Sequence, residues 1–413
     1  MRILVISNLY PPAHLGGYEV LCAETVERLR ERHEVMVLTS DHGDAPSEPG
    51  IARELAYLPD GKRPVLRAPL ASLRAARMTR RVLEEFQPEL VFIWNGSDMP
   101  QAAIRVAEQS GAPIAYSVCE YWFAGLYERD RYMGYFGETR GGIHGLWGHA
   151  ARAFNRHPDL RLDTSERVRA SICWASESLR EKTGLPPTVE ALDERVIHSA
   201  VHDPELWTGL PRAPASDPPL IAFVGRVEQQ KGPDVAYRAV AGLRDRHGMD
   251  VKLVLAGFLV PSMRDTLAGL ASELRIEDRV EQLGQVPQAR VGELLTTASA
   301  LLVPSTWEEP LGLVNVEGAL ARVPVVASRS GGMTETLLED EHALYFPIGD
   351  HDACADALAR VLQQKEETAA RAERAFERAQ AFTFDRYMAQ MNEFVERAAA
   401  ATQPRPAQPR SPA

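Results

Sequence analysis

Residues 308–320 read EEPLGLVNVEGAL and lie between two apolar runs, ALLVPSTW (300–307) and RVPVVAS (322–328). Three acidic residues, one proline and two glycines interrupt what otherwise reads as a buried strand, a loop and a helix. Pro310 and Gly312 both resist a helix interior, so the helix is expected to begin near Leu313. Glu309 then stays in the loop while Glu317 falls in the early helical turns. The two carboxylates become separate anchors on either side of a helix N-terminus, unlike the close acid and nucleophile pair of a glycosidase. Backbone N–H groups of Leu311, Gly312, Leu313 and Val314 lie between them, ready for an anion.

Working outward, short β-branched runs alternate with longer amphipathic stretches from the first residues on: 3–7, then 19–32, then 35–39. This is the pattern of parallel strands joined by helices. Further strands are expected at 90–93, 113–118, 170–174 and 195–197. A polar, proline-bearing segment at 201–219 breaks the alternation, as an interdomain connection does. The pattern restarts with strands at 220–224, 251–256, 280–283, 300–303, 324–327 and 343–346. Residues 352–398 read as helical, with a break near Phe382. The reading is therefore α/β, with two doubly wound domains, 1–200 and 201–384. The last helix, 385–400, is free to return to the first domain, and the proline-rich tail 401–413 is expected to be disordered.

At 413 residues the chain exceeds the size at which one core keeps growing, which agrees with two domains. A formal net charge of −11 argues against nucleic acid as a partner, since that affinity comes from Lys and Arg neutralising phosphates. Four cysteines, Cys22, Cys119, Cys173 and Cys354, lie far apart without a C-x-x-C pair, fitting reduced thiols in a cytoplasmic protein. The first residues carry an apolar run too short for a signal segment. Peripheral membrane contact through the arginine-rich stretch 70–86 competes with the plainer reading of a solvated helix face. Oligomeric state is not legible.

Ligands of open α/β sheets bind beyond the carboxyl ends of the strands, so the loops there are the first candidates. In NLYPPAHLGGYE, Gly16 and Gly17 precede a helix and admit close approach of backbone N–H groups to a phosphate. In GRVEQQKG, Arg226 and Lys231 leave a strand end five residues apart, placed to aim two cations at one diphosphate. Carboxylates suit sugar hydroxyls. Taken with Glu309 and Glu317, the set describes a ligand with hydroxyls at both ends and a diphosphate between them, which is a nucleotide sugar.

The stretches LYPPAHLGGYE, VIHSAVHDPELW, FVGRVEQQKG, QLGQV and PSTWEEPLGLVNVEGALARVPVVASRSGGMTE resemble, over nearly the whole chain, the retaining GT-B glycosyltransferases of the large family four, the group 1 enzymes with an E-x7-E element. The resemblance implies two Rossmann-like domains facing a cleft, with the last helix crossing back to the first domain. It implies that Arg226 and Lys231 hold the donor diphosphate, with Gly16 or Gly17 contributing N–H groups. Glu317 takes the ribose hydroxyls and Glu309 those of the transferred sugar. Backbone near Gly284, Gln285 and Val286 meets the base. No metal and no cofactor is implied: the nucleoside diphosphate sugar, most often UDP-linked, is a substrate, and a hydroxyl acceptor on a glycan, lipid or metabolite is the partner. The one D-x-D match, Asp350-His351-Asp352, precedes a helix and reads as an N-cap.

One departure matters. Where family members commonly have a histidine near the donor sugar, this chain has Cys119, in the run Val118-Cys119-Glu120-Tyr121-Trp122. A thiol is a poorer donor than imidazole. The segment 121–167 that follows is rich in aromatics, glycine and arginine and falls where the family builds its acceptor side. Tyr121, Trp122, Phe123 and Trp147 are read as core or as acceptor contacts, and His144 and His149 lie in the same segment. A catalytically silent nucleotide-sugar-binding protein is the alternative that Cys119 raises. A nicotinamide-dependent oxidoreductase is disfavoured, because neither domain's first strand runs into G-x-G-x-x-G.

Overall fold

The computed structural model describes residues 1–13, 16–43, 45–58, 68–127, 167–201, 203–209, 211–213 and 216–401. The chain divides into two compact units. The first holds Met1–Ala175, Leu179–Ile197 and the chain from Met388 on; the second holds Ser176–Ser178 and His198–Tyr387. Three residues before α4 and within its start thus cluster with the second unit, although the sequence reading puts them in the first. The expected tail 401–413 lies outside the described residues save for Ala401.

In the first unit the elements are β1 (Arg2–Ser7), α1 (Gly17–Arg30), β2 (Glu34–Ser40), β3 (Ile51–Leu55), α2 (Ala68–Phe86), β4 (Leu90–Asn95), α3 (Ala102–Glu108), β5 (Ile114–Val118), β6 (Val168–Trp174), α4 (Glu177–Thr183) and β7 (Val189–Val196). The strands form one parallel sheet in the order β3-β2-β1-β4-β5-β6-β7. Ile3 sits opposite both Val35 and Leu90, so β1 is central. Both faces of a central parallel strand are covered, and β4 and β5 accordingly have no exposed residue. Two strands depart from the sequence expectation. β3 was not anticipated, and β7 begins at Val189 instead of 195. Both are edge strands whose charged residues, Arg53 and Glu54 in one and Glu190, Asp193 and Glu194 in the other, dilute the apolar signal.

The second unit contains α5 (Glu205–Thr208), β8 (Leu220–Val224), α6 (Pro233–His247), β9 (Lys252–Ala256), α7 (Pro261–Leu274), β10 (Val280–Gly284), α8 (Gln288–Thr297), β11 (Ala300–Val303), α9 (Leu313–Leu320), β12 (Val325–Ser328), α10 (Met333–Thr336), β13 (Leu344–Phe346), α11 (His351–Gln363) and α12 (Lys365–Ala379). Its parallel sheet has the order β10-β9-β8-β11-β12-β13. Because all strands run the same way, the loops after β8, β10, β11 and β12 emerge along one edge. Asp350 caps α11, its Oδ1 accepting the Ala353 N–H at 2.9 Å, as the D-x-D stretch predicts.

The final helix, α13 (Phe384–Ala400), repeats Met388, Met391, Phe394, Val395 and Ala398 along one buried face. From Met388 it belongs to the first unit, where Phe394 meets Phe92 at 6.2 Å between ring centroids. Glu393 accepts from Arg195 at 2.8 Å, and Arg397 lies 3.3 Å from Asp193, so both ion pairs tie the helix to β7.

Candidate active site

The loop after β8 begins at Gly225 and closes with a short 3-10 turn, Gln229–Lys231, before Gly232 opens α6. Gly232 has φ +67°, and a Cβ built there would stand 2.0 Å from the Pro304 carbonyl oxygen. Only glycine permits that backbone conformation and that approach. The loop after β11 therefore lies directly on the loop after β8. The Thr306 N–H donates to Gln230 O at 2.8 Å, and its hydroxyl donates to Gln229 O at 2.9 Å.

This contact carries Lys231 to Glu309. Lys231 Nζ lies 2.7 Å from Glu309 Oε1, and the Ser305 hydroxyl donates to the same oxygen at 2.5 Å. Glu309 is 6% exposed, so a nearly enclosed carboxylate is met by an ammonium and a hydroxyl. The Lys231 ammonium also stands 5.5 Å from the centroid of the Trp307 ring. Arg226 has a partner of its own: its Nη2 lies 3.0 Å from Glu228 Oε1, on a side chain 49% exposed.

A second loop supports Glu309 from below. After β12, Gly331 has φ +49°, and a Cβ there would lie 2.0 Å from the Glu309 carbonyl oxygen. The Gly331 N–H donates to Glu308 Oε2 at 2.7 Å, the Gly332 N–H to Glu309 O at 2.9 Å, and the Glu309 N–H to the Ser330 hydroxyl at 3.0 Å. The side chain of Glu308 thus shapes the turn on which Glu309 rests. Helix α9 begins at Leu313 behind a left-handed Gly312, as the Pro-Leu-Gly spacing predicts. Glu317 is its fifth residue and is half-buried. Gly284 ends β10, and Gln285 and Val286 follow it on the same edge, with Gln285 exposed and the other two half-buried.

In the first unit, Gly16 is the residue before α1, and its N–H already donates to Glu19 Oε2 at 3.0 Å. Of the two glycines expected to offer N–H groups, Gly16 thus has its amide bonded to Glu19. Gly17 is exposed at the first helical position. After β5, Cys119, Glu120 and Tyr121 are half-buried, with Cys119 Sγ 3.7 Å from the Ser117 hydroxyl. Trp122 is a correction: it is 1% exposed and packs in the core against Tyr116 and Phe123, which excludes it from any pocket. Phe123 is buried with it. Trp147, His144 and His149 lie outside the described residues.

Sequence reasoning did not assign roles to Ser305, Trp307, Glu308, Ser330 or the Gly331-Gly332 turn. The only signal for them was their presence in the stretch that carries the resemblance. Among the described residues no group of three or more His, Cys, Asp or Glu side chains is arranged to hold a metal ion.

Two α/β units, each with a parallel sheet and helices on both faces, and a loop system of this kind at strand carboxyl ends define the GT-B class of fold. The family model described as "Glycosyl transferases group 1" matches residues 211–378, and "Glycosyltransferase Family 4" matches residues 15–175. The chain belongs to the GT-B glycosyltransferases of group 1. It is 34% identical over 178 residues to a D-inositol 3-phosphate glycosyltransferase of Corynebacterium glutamicum, a stretch covering 42% of each protein. The match thus spans about two fifths of that relative. An uncharacterized glycosyltransferase of Methanocaldococcus jannaschii is 26% identical over 375 residues, 88% of this chain and 89% of that one. Among solved structures, sucrose-phosphate synthase from Thermosynechococcus elongatus superposes with a TM-score of 0.67 at 19% identity, covering 97% of this chain and 99% of that one. Anabaena HepE gives 0.67 at 18%, covering 96% and 100%. At these identities the superpositions speak to the fold.

Proposed function

We propose that the protein transfers a sugar from a nucleoside diphosphate sugar to an acceptor hydroxyl, with retention of the anomeric configuration and without a metal. The observation that carries this reading is the pairing of Lys231 with the enclosed Glu309 beside the N-terminus of α9. A cation, a sugar-directed carboxylate and helix N–H groups then adjoin one another, as a diphosphate bearing a sugar requires. UDP is the favoured carrier, supported by the structural neighbour HepE, which was solved in complex with UDP-glucose.

In this reading Lys231 and Arg226 take the diphosphate, Glu309 orients the sugar hydroxyls, and Glu317 takes the ribose. The bond from the anomeric carbon to the phosphate oxygen breaks, leaving negative charge on the departing diphosphate. Fixed cations and N–H dipoles aimed at that charge are the main source of acceleration. The acceptor oxygen forms the new bond from the side the phosphate leaves, and its proton passes to a phosphate oxygen. A binding ligand displaces Lys231 from Glu309, so each group exchanges its internal partner for one on the donor. The reading includes a cytoplasmic location. Its supports are four free cysteines and, among the described residues, no helix long and apolar enough to cross a membrane.

The test is product formation. Purified protein is incubated with UDP-, GDP-, ADP- and TDP-sugars and a panel of hydroxyl acceptors, including inositol phosphate because one relative bears that name. Donor-dependent glycoside is expected with one nucleotide. Saturable donor binding without product from any acceptor supports the silent binding protein instead.

A further inference from the structure

Behind the Glu309 turn lies a carboxylate that this donor-binding scheme does not use. Glu335, in α10, accepts the Ser178 N–H on Oε1 at 2.7 Å and the Glu177 N–H on Oε2 at 2.9 Å. His198 Nε2 stands 3.0 Å from Oε2. All of these residues belong to the second unit, yet Glu335 lies more than 150 positions from the two amides it binds. The same short peptide is held a second time, since the Ser176 hydroxyl donates to the Pro310 carbonyl at 2.5 Å. Pro310 is the residue after Glu309.

A closed circuit results. The Gly332 N–H holds Glu309 O, Glu335 follows three residues later on one helical turn, its carboxylate holds 177–178, and Ser176 returns to Pro310. Arg378 braces the far side, donating to Glu335 O at 3.1 Å and Thr336 O at 3.2 Å. His198 is set by its ring contact with Phe382 at 5.7 Å. A turn of four residues has little rigidity of its own, because it closes too few internal hydrogen bonds. Bonds to an ionised group are about twice as strong as neutral ones, so the carboxylate supplies the stiffness the turn lacks.

We propose that Glu335 is a positioning residue for the donor site, clamping the 331–335 turn to the Ser176–Ser178 peptide so that Glu309 and the N–H groups before α9 are held at one orientation. The inference rests on the proposed donor-binding reading. It assigns Glu335 no contact with the sugar nucleotide: it acts through Glu309, and on the sugar end of the ligand more than on the diphosphate. The loop after β8 is anchored independently, through Gly232 and Thr306.

The test compares wild type with Glu335→Ala, Glu335→Gln and His198→Ala in two measurements. In hydrogen exchange, amides of 309–314 should exchange about tenfold faster in Glu335→Ala, while those of 225–232 keep their wild-type rates. In calorimetry with UDP-glucose and UDP, affinity for bare UDP should stay within about threefold, and the preference for the sugar-bearing ligand should fall about tenfold. His198→Ala should show the same pattern more weakly. Should Glu335→Ala fold poorly, Glu335→Gln provides the comparison, since it keeps one acceptor oxygen and loses the charge. Unchanged exchange at 309–314, or an equal loss for UDP and UDP-glucose, overturns the positioning role. If wild type binds neither ligand while the exchange pattern appears, the clamp stands and the donor assignment fails.

Discussion

Lys231 Nζ lies 2.7 Å from Glu309 Oε1, although 78 residues separate them in the chain. Two groups read from sequence as ligand contacts are each other's partners in the free protein. Removing the lysine leaves a carboxylate with 7% side-chain exposure supported by Ser305. Lys231→Ala should lower unfolding free energy by about 2 kcal/mol, less than the 3–5 kcal/mol of a fully buried pair because the lysine keeps some solvent. Urea unfolding measures this. The double variant Lys231→Ala/Glu309→Gln should recover part of the loss, and strict additivity would show that the pair is not coupled.

Gly331, like Gly232, is a position near the site with no room for a side chain. Its φ of +49° and the 2.0 Å approach of a Cβ to Glu309 O act together. Gly331→Ala should cost more than the roughly 1–2 kcal/mol of left-handed strain alone, because the Glu309 carbonyl must also move. A thermal melt gives the stability, and donor titration should show affinity for a sugar nucleotide lost with it. A wild-type melting temperature would mean that the turn relaxes freely.

A second enclosed pair lies in the first unit. Arg105 Nη1 stands 3.1 Å from Glu108 Oε2, with side chains 1% and 0% exposed, and the Tyr116 and Tyr127 hydroxyls donate to the same carboxylate. Glu108→Ala strands a buried guanidinium and two buried phenols, for an expected loss of about 3–5 kcal/mol by denaturant unfolding. Arg105→Met/Glu108→Leu, which removes both charges and keeps volume, should cost less than Glu108→Ala.

The acid limb of stability should carry the signature of Glu335. Burial pushes its carboxyl up, but the hydrogen bonds from His198 and from the amides of Ser178 and Glu177 outweigh it and leave the pKa below the ordinary value. A carboxyl depressed in the folded state contributes stability above its unfolded pKa and loses it as pH falls through the folded value. Wild type should therefore exceed Glu335→Gln in stability above about pH 5, and the gap should close toward about pH 3. Melting curves across that range check it; a constant gap contradicts it.

Thiol chemistry should single out one cysteine. Burial raises the Cys22, Cys173 and Cys354 thiols well above the ordinary range, while Cys119 is half-buried beyond β5. A chromogenic disulfide reagent should titrate one thiol rapidly in native protein and all four after denaturation. Cys119→Ser should abolish the rapid phase. Protection of Cys119 by a sugar nucleotide would further place it beside the donor.

Much of this architecture is legible before folding. β1, β4, β8 and β11 are apolar on both faces and announce a parallel sheet, and Pro310-Leu311-Gly312 fixes the start of α9. The edge strands are less legible because solvent permits charges there, as the half-buried Glu54 in β3 and the exposed Glu190 and Glu194 in β7 illustrate. Side-chain partnership is least legible of all. Nothing local to Lys231 indicates Glu309, a pairing that comes from the stacking of two loops along one sheet edge, and nothing near Glu335 indicates Ser178, 157 positions away. Trp122, which the sequence leaves as core or acceptor contact, lies in the turn after β5, where its ring packs on Tyr116 and Phe123 and is buried.

The central claim is that the loops after β8 and β11 hold the diphosphate of a sugar nucleotide. It is tested most directly by isothermal titration of UDP-glucose into wild type, Arg226→Ala and Lys231→Ala, with GDP-, ADP- and TDP-glucose in parallel. The account predicts saturable binding of one of these donors to wild type, weakened at least about a hundredfold in each variant, the loss of charge-assisted bonds worth about 3 kcal/mol. Equal binding by wild type and both variants, or binding of no sugar nucleotide to wild type, would contradict it.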